Sequence, residues 1–239
     1  MMFKPNKAFL LAAGKGTRLR PYTDTMPKPM VPVNGRSIIK RALEKLAAED
    51  VKNVVVNLYH LGDVLKTHLQ DWQHPKIIFS QETELLETGG GVKKALSHFG
   101  DDPFYMINGD ALWSDEDGNT ALSMLAQNWN NDRMDMVLLL QPVSGMSLTN
   151  GVGDYTIEKD GRARRTPDKN GTHMFAGIRI VHPRLFNKTP DGAFGFLSLM
   201  DKAEQQGRLY AVEHRGAWHH ISTPEELERV DAHYKEANA

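Results

Sequence analysis

Residues 10–32 read LLAAGKGTRLRPYTDTMPKPMVP, and this stretch limits the folds open to the chain more than any other. An apolar run over 7–12 reads as a strand and passes straight into Gly14-Lys15-Gly16-Thr17-Arg18. Ten residues after Arg18 comes Lys28, inside Pro27-Lys28-Pro29. A glycine-rich turn leaves main-chain N–H groups free to face an anion, and two cations stand nearby. That combination suits a triphosphate and the charge that builds up as a phosphoryl group changes hands. Two other phosphate loops are excluded. There is no G-x-x-x-x-G-K-[ST] string, and Leu19 stands where a dinucleotide-binding loop needs its third glycine.

Strand-like and helical runs alternate after this loop. Residues 37–49 place Ile38, Ile39, Ala42, Leu43, Leu46 and Ala47 at helical spacing. Residues 52–58 (KNVVVNL) are β-branched and nearly continuous, as in parallel strands covered on both faces. The pattern then predicts a helix over 60–72, a strand over 76–80, a helix over 92–99 and a strand over 103–108. A helix near 120–130 and a fifth strand over 134–141 follow. This alternation predicts an α/β fold: a Rossmann-like, mostly parallel sheet with helices on both faces. Ligands of such sheets bind at the carboxyl ends of the strands, which puts Gly14–Arg18 and Asp110 on one edge.

Past about residue 143 the runs shorten. Residues 153–158, 162–166 and 173–181 predict antiparallel strands, a small subregion suited to an acceptor. A helix over 194–206 and a strand over 208–213 come next. The last helix is announced by Thr223 as cap, Pro224 in the first position and Glu226 closing a capping box. The chain reads as one domain, 1–239, with a nucleotide-binding half over 1–143 and an acceptor half over 144–239. No internal repeat or low-complexity segment is present.

Composition narrows the partners. The 239 residues carry a net charge of −1 without a basic block, which argues against nucleic acid. Absence of cysteine removes disulfides, thiolate metal sites and cysteine nucleophiles. The start, MMFKPNKAFLLAA, has a basic residue before an apolar run. That run is too short for a secretion signal and leads into the glycine loop, so a buried first strand is expected. No stretch approaches a membrane span, and a cytoplasmic location is the expectation.

Three further groups of residues carry chemistry. Asn108-Gly109-Asp110 ends an apolar strand, where an aspartate can hold Mg²⁺ with water and phosphate oxygens. A simple turn is the alternative. Glu87-Thr88-Gly89-Gly90-Gly91 lets backbone come close to a flat ring, with Glu82 upstream, or else forms a loose helix entry. Trp218-His219-His220-Ile221-Ser222-Thr223 contains a histidine pair that reads either as a ligand set or as a structural pair.

The early string resembles the signature of the sugar-1-phosphate nucleotidyltransferases, L-x-x-G-x-G-T-R-L-x-P-x-T followed by P-K-P. Leu11, Gly14, Gly16, Thr17, Arg18, Leu19, Pro21, Thr23, Pro27, Lys28 and Pro29 carry it. The resemblance covers about residues 7–230. It implies that Leu11, Ala12, Ala13, Gly14, Lys15, Gly16 and Thr17 line the nucleotide. Arg18 meets the leaving pyrophosphate, Lys28 the α-phosphate, and Asp110 a metal. It also implies base contacts from Glu82, Thr88, Gly89 and Asn108, and acceptor contacts from Gly153, Asp154, Lys169 and Gly177. Relatives usually read W-x-D-x-G-T near the end, with the aspartate as second metal carboxylate; here His220 takes that place. Then Asp110 holds Mg²⁺ with water and phosphates, or His220 joins as a weaker ligand or phosphate donor. An imidazole also favours Mn²⁺ or Co²⁺.

Within the family, LETGGGVKKAL and the terminal W-x-x-x-x-T-P-E are most similar to the N-acetylmuramate 1-phosphate uridylyltransferases of peptidoglycan recycling. The partners implied are UTP and N-acetylmuramate 1-phosphate. Guanylyltransfer from GTP to mannose or heptose 1-phosphate is the alternative, and a non-catalytic nucleotide-sugar sensor a second one. Bifunctional relatives add a hexapeptide-repeat helix; this length leaves no room for one, so no acetyltransferase activity is expected. Oligomeric state is not legible.

Overall fold

The computed structural model describes residues 3–116, 118–149 and 151–237. The chain opens with strand β1 (Lys7–Leu11), a small hairpin of β2 (Pro32–Val33) and β3 (Arg36–Ser37), and helix α1 (Ile38–Ala48). Then come β4 (Asn53–Leu58), α2 (Gly62–Leu69), β5 (Lys76–Gln81), α3 (Glu87–Lys94), β6 (Phe104–Asn108) and β7 (Ala111–Trp113). Helix α4 (Ala121–Asn128) leads to β8 (Met136–Pro142), β9 (Tyr155–Ile157), β10 (Ala163–Arg165) and β11 (His173–Val181). Last are α5 (Leu197–Gln205), β12 (Leu209–Glu213), β13 (Trp218–His220) and α6 (Pro224–Glu236).

One sheet runs β5-β4-β1-β6-β11-β8-β12 through the molecule. The first four strands are parallel. Side chains alternate across this sheet, since successive Cβ atoms point to opposite faces. Ala8, Leu10, Val54, Val56, Tyr105 and Ile107 pack on one face with α1, α2 and α4. Phe9, Val55, Phe104 and Met106 pack on the other with α3 and α5. Helices thus cover both faces, as the apolar runs require. Among the described residues no helix is long and apolar enough to cross a membrane.

The second half is less separate than its short runs suggest. Only β11 and the short β10 run against the other strands, and β9 pairs antiparallel with both of them; β8 and β12 pair parallel to each other in the same sheet. Strand β11 buries Ala176, Ile178 and Ile180 on one face and Val181 on the other, so both of its faces are covered. Its edges pair with β6 and β8. A register shift between Phe175 and Arg179 surrounds Gly177, whose φ is +75°.

A third cluster anchors the phosphate loop. Leu19 and Val31 are fully buried with Leu112, Ile221, Leu227 and Val230. Full burial of a leucine stabilises by about 1.5–3 kcal/mol, so Leu19 acts as a peg for the flexible loop before it. Helix α6 starts as its sequence announces: Thr223 Oγ1 accepts from the Glu226 N–H, and the Glu226 side chain returns to the Thr223 N–H. Helix α3, by contrast, begins at Glu87 and not at Val92, with Gly89, Gly90 and Gly91 inside it. Glycine weakens a helix, so tertiary contacts must hold this turn.

Candidate active site at the carboxyl ends of the parallel strands

The carboxyl ends of β1, β4 and β6 open onto a cleft of about 450 Å³. Its walls are the exit of β1 from Leu11 to Gly14, the segment around Lys28, the end of β6 from Asn108 to Asp110, and Leu85, Glu87 and Thr88 opposite. Three loops far apart in sequence therefore meet because their strands are parallel neighbours.

The glycine loop is built to stay open. Gly16 has φ +61°, and its carbonyl accepts from Thr23 Oγ1 at 2.9 Å. A Cβ on Gly16 would press on Thr23 and Lys28 at 3.0 and 3.1 Å. A Cβ on Gly14 would meet nothing within 4 Å. Gly16 is thus held by its shape, whereas Gly14 faces empty space. Lys15, Thr17 and Arg18 are exposed on the loop outside the cleft wall, and neither Lys15 nor Arg18 makes an ion pair with a described residue.

At the floor, Lys28 Nζ donates to Asp110 Oδ2 at 2.6 Å. Lys28 is the more buried partner, with 13% of its side chain exposed against 32% for Asp110. Gly109 makes this meeting possible: a Cβ there would lie 2.1 Å from the Leu11 carbonyl oxygen and 2.7 Å from Pro29. The chain leaving β6 can run beside the end of β1 and against the Pro27-Lys28-Pro29 turn only without a side chain at this point.

Strand β13 pairs with β7, which sets His220 opposite Ala111, the residue after Asp110. His220 is half-buried, and burial pushes its imidazole below the ordinary histidine range. Asp110 and Glu226 pull it back up, while Lys28 and Arg18 push it down. The side chain therefore shares one electrostatic neighbourhood with Arg18, Lys28 and Asp110. His219 points the other way, into an aromatic packing with His233 and Tyr234 at ring distances of 5.9 and 5.7 Å. Burial lowers its pKa to about 4. The histidine pair is thus divided: His220 belongs to the site and His219 to the core.

Glu82 and Gly89 lie outside the lining of this cleft. Glu82 is buried behind the wall, where it accepts from Asn57 Nδ2 at 2.7 Å and the Leu86 N–H at 3.1 Å. Asn57 in turn accepts from the Ala12 N–H at 2.7 Å. This chain of bonds ties the β1 exit to the Leu85–Thr88 wall. Gly89 and Gly90 both donate to the Phe194 carbonyl. Cβ atoms on the three glycines would strike Phe194, Gly192 and the Glu82–Asn57 pair. The absence of side chains on these glycines admits neighbouring protein chain. Thr88 keeps a place in the wall while its Oγ1 accepts from the Phe196 N–H.

The four acceptor candidates lie outside the cleft lining. Gly153 packs against Gly171 and accepts from Gly171 N–H and Thr166 Oγ1. Asp154 and Lys169 form an ion pair with each other. Gly177 alone touches the wall, through Asn108. One polar wall residue escaped the sequence reading. Asn57 lies inside the apolar run NVVVNL, and that interruption is the signal that could have found it. Glu87, which heads the glycine cluster, also lines the wall, with φ +59°, rare for glutamate.

Residues 7–147 match the nucleotidyl transferase family. The chain belongs to that family. Among curated nucleotidyl transferases it is 33% identical to the N-acetylmuramate alpha-1-phosphate uridylyltransferase of Caulobacter vibrioides, over 98% of each chain. It is 31% identical to the enzyme of the same name from Neisseria meningitidis serogroup B, over 95% of this chain and 97% of that one. The solved UDP-glucose pyrophosphorylase in complex with UDP-glucose superposes with a TM-score of 0.76 at 18% identity. That match covers 98% of this chain and all of the other, and it establishes the shared nucleotidyl transferase fold.

Proposed function

We propose that this nucleotidyl transferase joins UTP and N-acetylmuramate 1-phosphate to give UDP-N-acetylmuramate and pyrophosphate, in the cytoplasm and in the recycling of peptidoglycan. The observation that carries the reading is the Lys28–Asp110 pair on the cleft floor, beside an open glycine loop. The names of the two relatives at 33% and 31% identity support the choice of sugar and base.

The residues divide the work as charge stabilisers. Main-chain N–H groups from Ala13 to Thr17 hold the β- and γ-phosphates, and Gly14 gives them space. Arg18, exposed and without an ion pair, closes on the pyrophosphate as it leaves, its fork suited to two phosphate oxygens. Lys28 neutralises the charge that grows on the α-phosphate while the sugar phosphate oxygen attacks. The 1–143 half binds the nucleotide and the 144–239 half the sugar.

Asp110 offers a donor set for Mg²⁺. Lys28 occupies Oδ2, no described residue donates to Oδ1, and a magnesium ion is commonly held by one or two carboxylates plus phosphates and waters. His220, kept uncharged near neutrality by burial, is the second donor within reach of the same region. Among the described residues no three His, Cys, Asp or Glu side chains converge as a metal cluster, so substrate phosphates complete the set. When bound, the metal would be held by Asp110 with His220 nearby and would supply positive charge to offset that of the phosphates.

Release of pyrophosphate, measured with UTP, GTP, CTP and dTTP against a panel of sugar 1-phosphates, tests the reading. UTP with N-acetylmuramate 1-phosphate is expected to give the highest kcat/KM. Preference for GTP with mannose or heptose 1-phosphate would replace the substrate assignment. Turnover with none would favour a nucleotide-sugar sensor, the reading for which the histidine at position 220 speaks.

A further inference from the structure

Arg179 on β11 is 2% exposed and makes no ion pair with a described residue. Its register neighbours are Met106 on β6 and Leu138 on β8, both core residues. The guanidinium lies over Phe175 and Phe196, at 5.1 and 4.5 Å from the ring centres. Nε faces Met106 Sδ at 3.2 Å, and Nη1 donates to Asn108 Oδ1 at 3.3 Å. A buried ion without a countercharge is costly, and an apolar side chain of similar volume would fill such a place with less penalty. Burial draws the guanidinium down to about 9, which leaves it charged near neutrality.

The direction of the side chain says what the charge serves. It reaches toward the carboxyl end of β6, where Asn108 lines the cleft two residues before Asp110. Asn108 is gripped from two sides. Arg179 holds its amide oxygen, and Gly177 lies so close that a Cβ there would sit 3.0 Å from both Asn108 Cβ and Nδ2. The register shift at Gly177 therefore makes room for Asn108, and the bond from Arg179 settles which end of the amide is spent inside the protein.

We infer that Asn108, packed against the acceptor candidate Gly177, serves an anionic phosphomonoester acceptor and not the base, and that Arg179 is its positioning residue: it holds Asn108 by the amide oxygen, turns the amide NH2 toward the cleft and places a buried positive charge behind that donor. This rests on the proposed transfer to a sugar 1-phosphate. It adds a specificity device on β11, a strand whose side chains otherwise serve the core, and it explains why a lone cation is kept among aromatic rings.

Kinetics of Arg179→Met and Arg179→Lys, with UTP and N-acetylmuramate 1-phosphate varied in turn, test the inference. Loss of a charge-assisted hydrogen bond should raise the acceptor KM about tenfold or more in Arg179→Met while the UTP KM stays within about twofold. Arg179→Lys, which keeps the charge, should recover part of that loss. The melting temperature of Arg179→Met should hold or rise, because an unpaired buried charge has gone. On an Asn108→Ala background the same substitution should add nothing further, since both residues act as one unit. Equal rises in both KM values, additive effects, or an unchanged acceptor KM in a folded variant would overturn the inference.

If the wild-type protein transfers nucleotide to no sugar 1-phosphate, the proposed function fails by itself. Calorimetry with inorganic phosphate then decides the role of Arg179. Binding at least about fivefold weaker in Arg179→Met supports it, by the same loss of a charged donor. Equal affinity, or no binding to either protein, overturns it.

Discussion

Gly109→Ala is the sharpest test of how the site is assembled. The added methyl would sit 2.1 Å from the Leu11 carbonyl oxygen and 2.7 Å from Pro29 Cγ, where real Cβ contacts under 3.0 Å are essentially unknown. The first obstacle is main chain of the central strand, so no side-chain rotation relieves it. Restoring an ordinary contact takes a shift of about 1 Å, and a misplacement of that size at a reacting centre costs on the order of 10² in rate. The residue displaced is Asp110 or Lys28, whose 2.6 Å pair forms the floor. Overpacking of this kind costs about 1–3 kcal/mol, and a domain this large loses about 2–4 °C per kcal/mol. Melting temperature should therefore fall by about 2–12 °C, and kcat for pyrophosphate release by about a hundredfold. Gly14→Ala is the control. Its methyl meets nothing within 4 Å, so its melting temperature should match the wild type while its KM for UTP rises. Wild-type kcat and melting temperature in Gly109→Ala would refute the close approach of the chain after β6 to the end of β1. An equal loss of stability in Gly14→Ala would refute the open loop.

Other outcomes follow from the same geometry. Lys28→Ala should lose about 10²–10³ in kcat, the scale of removing one transition-state donor, and unchanged turnover would remove Lys28 from the mechanism. Thr223→Ala should lower the urea midpoint by an amount equal to about 1 kcal/mol, the usual worth of a helix cap, with kcat preserved. Burial lowers His219 and His182 to about 4 from an ordinary value of 6.5. Between those values the unfolded chain binds protons that the folded one refuses, so stability is complete above 6.5 and declines as pH falls toward 4. Urea midpoints from pH 8 down to pH 4.5 read this slope, and a flat profile would show that both rings accept protons in the folded state.

What could be read in the sequence was local. The alternation of strands and helices, the loop from Gly14 to Arg18, the aspartate ending β6 and the capping box at Thr223 each lie within a few residues, where periodicity and turn chemistry act. The triple glycine was legible only by half. Residues without side chains permit a close approach, but the sequence does not name the visitor, and here it is the chain from Gly192 to Phe194. Glu82 shows a related limit of local patterns. A carboxylate upstream of a base-facing segment looks like a reader of the base, yet its two oxygens are committed to Asn57 and Leu86 once β4 and β5 pair. Arg179 was passed over because a cation in HMFAGIRIV looks like the solvent-facing side of an antiparallel strand. Both faces of β11 are covered instead.

The pairing of β13 with β7 is the least local feature of all, and it decides the charge of the site. His220 comes to lie beside Asp110 although the two are 110 residues apart in the chain. A carboxylate in that place would set three negative groups, with Asp110 and Glu226, against Arg18 and Lys28. An imidazole held neutral by burial leaves two against two. Such a site draws a nucleoside triphosphate more strongly by field alone and grips a divalent cation less strongly by itself. A divalent cation bound here would find Asp110 and His220 as its protein donors, and phosphate oxygens of a nucleotide would take the positions that a second carboxylate would otherwise fill.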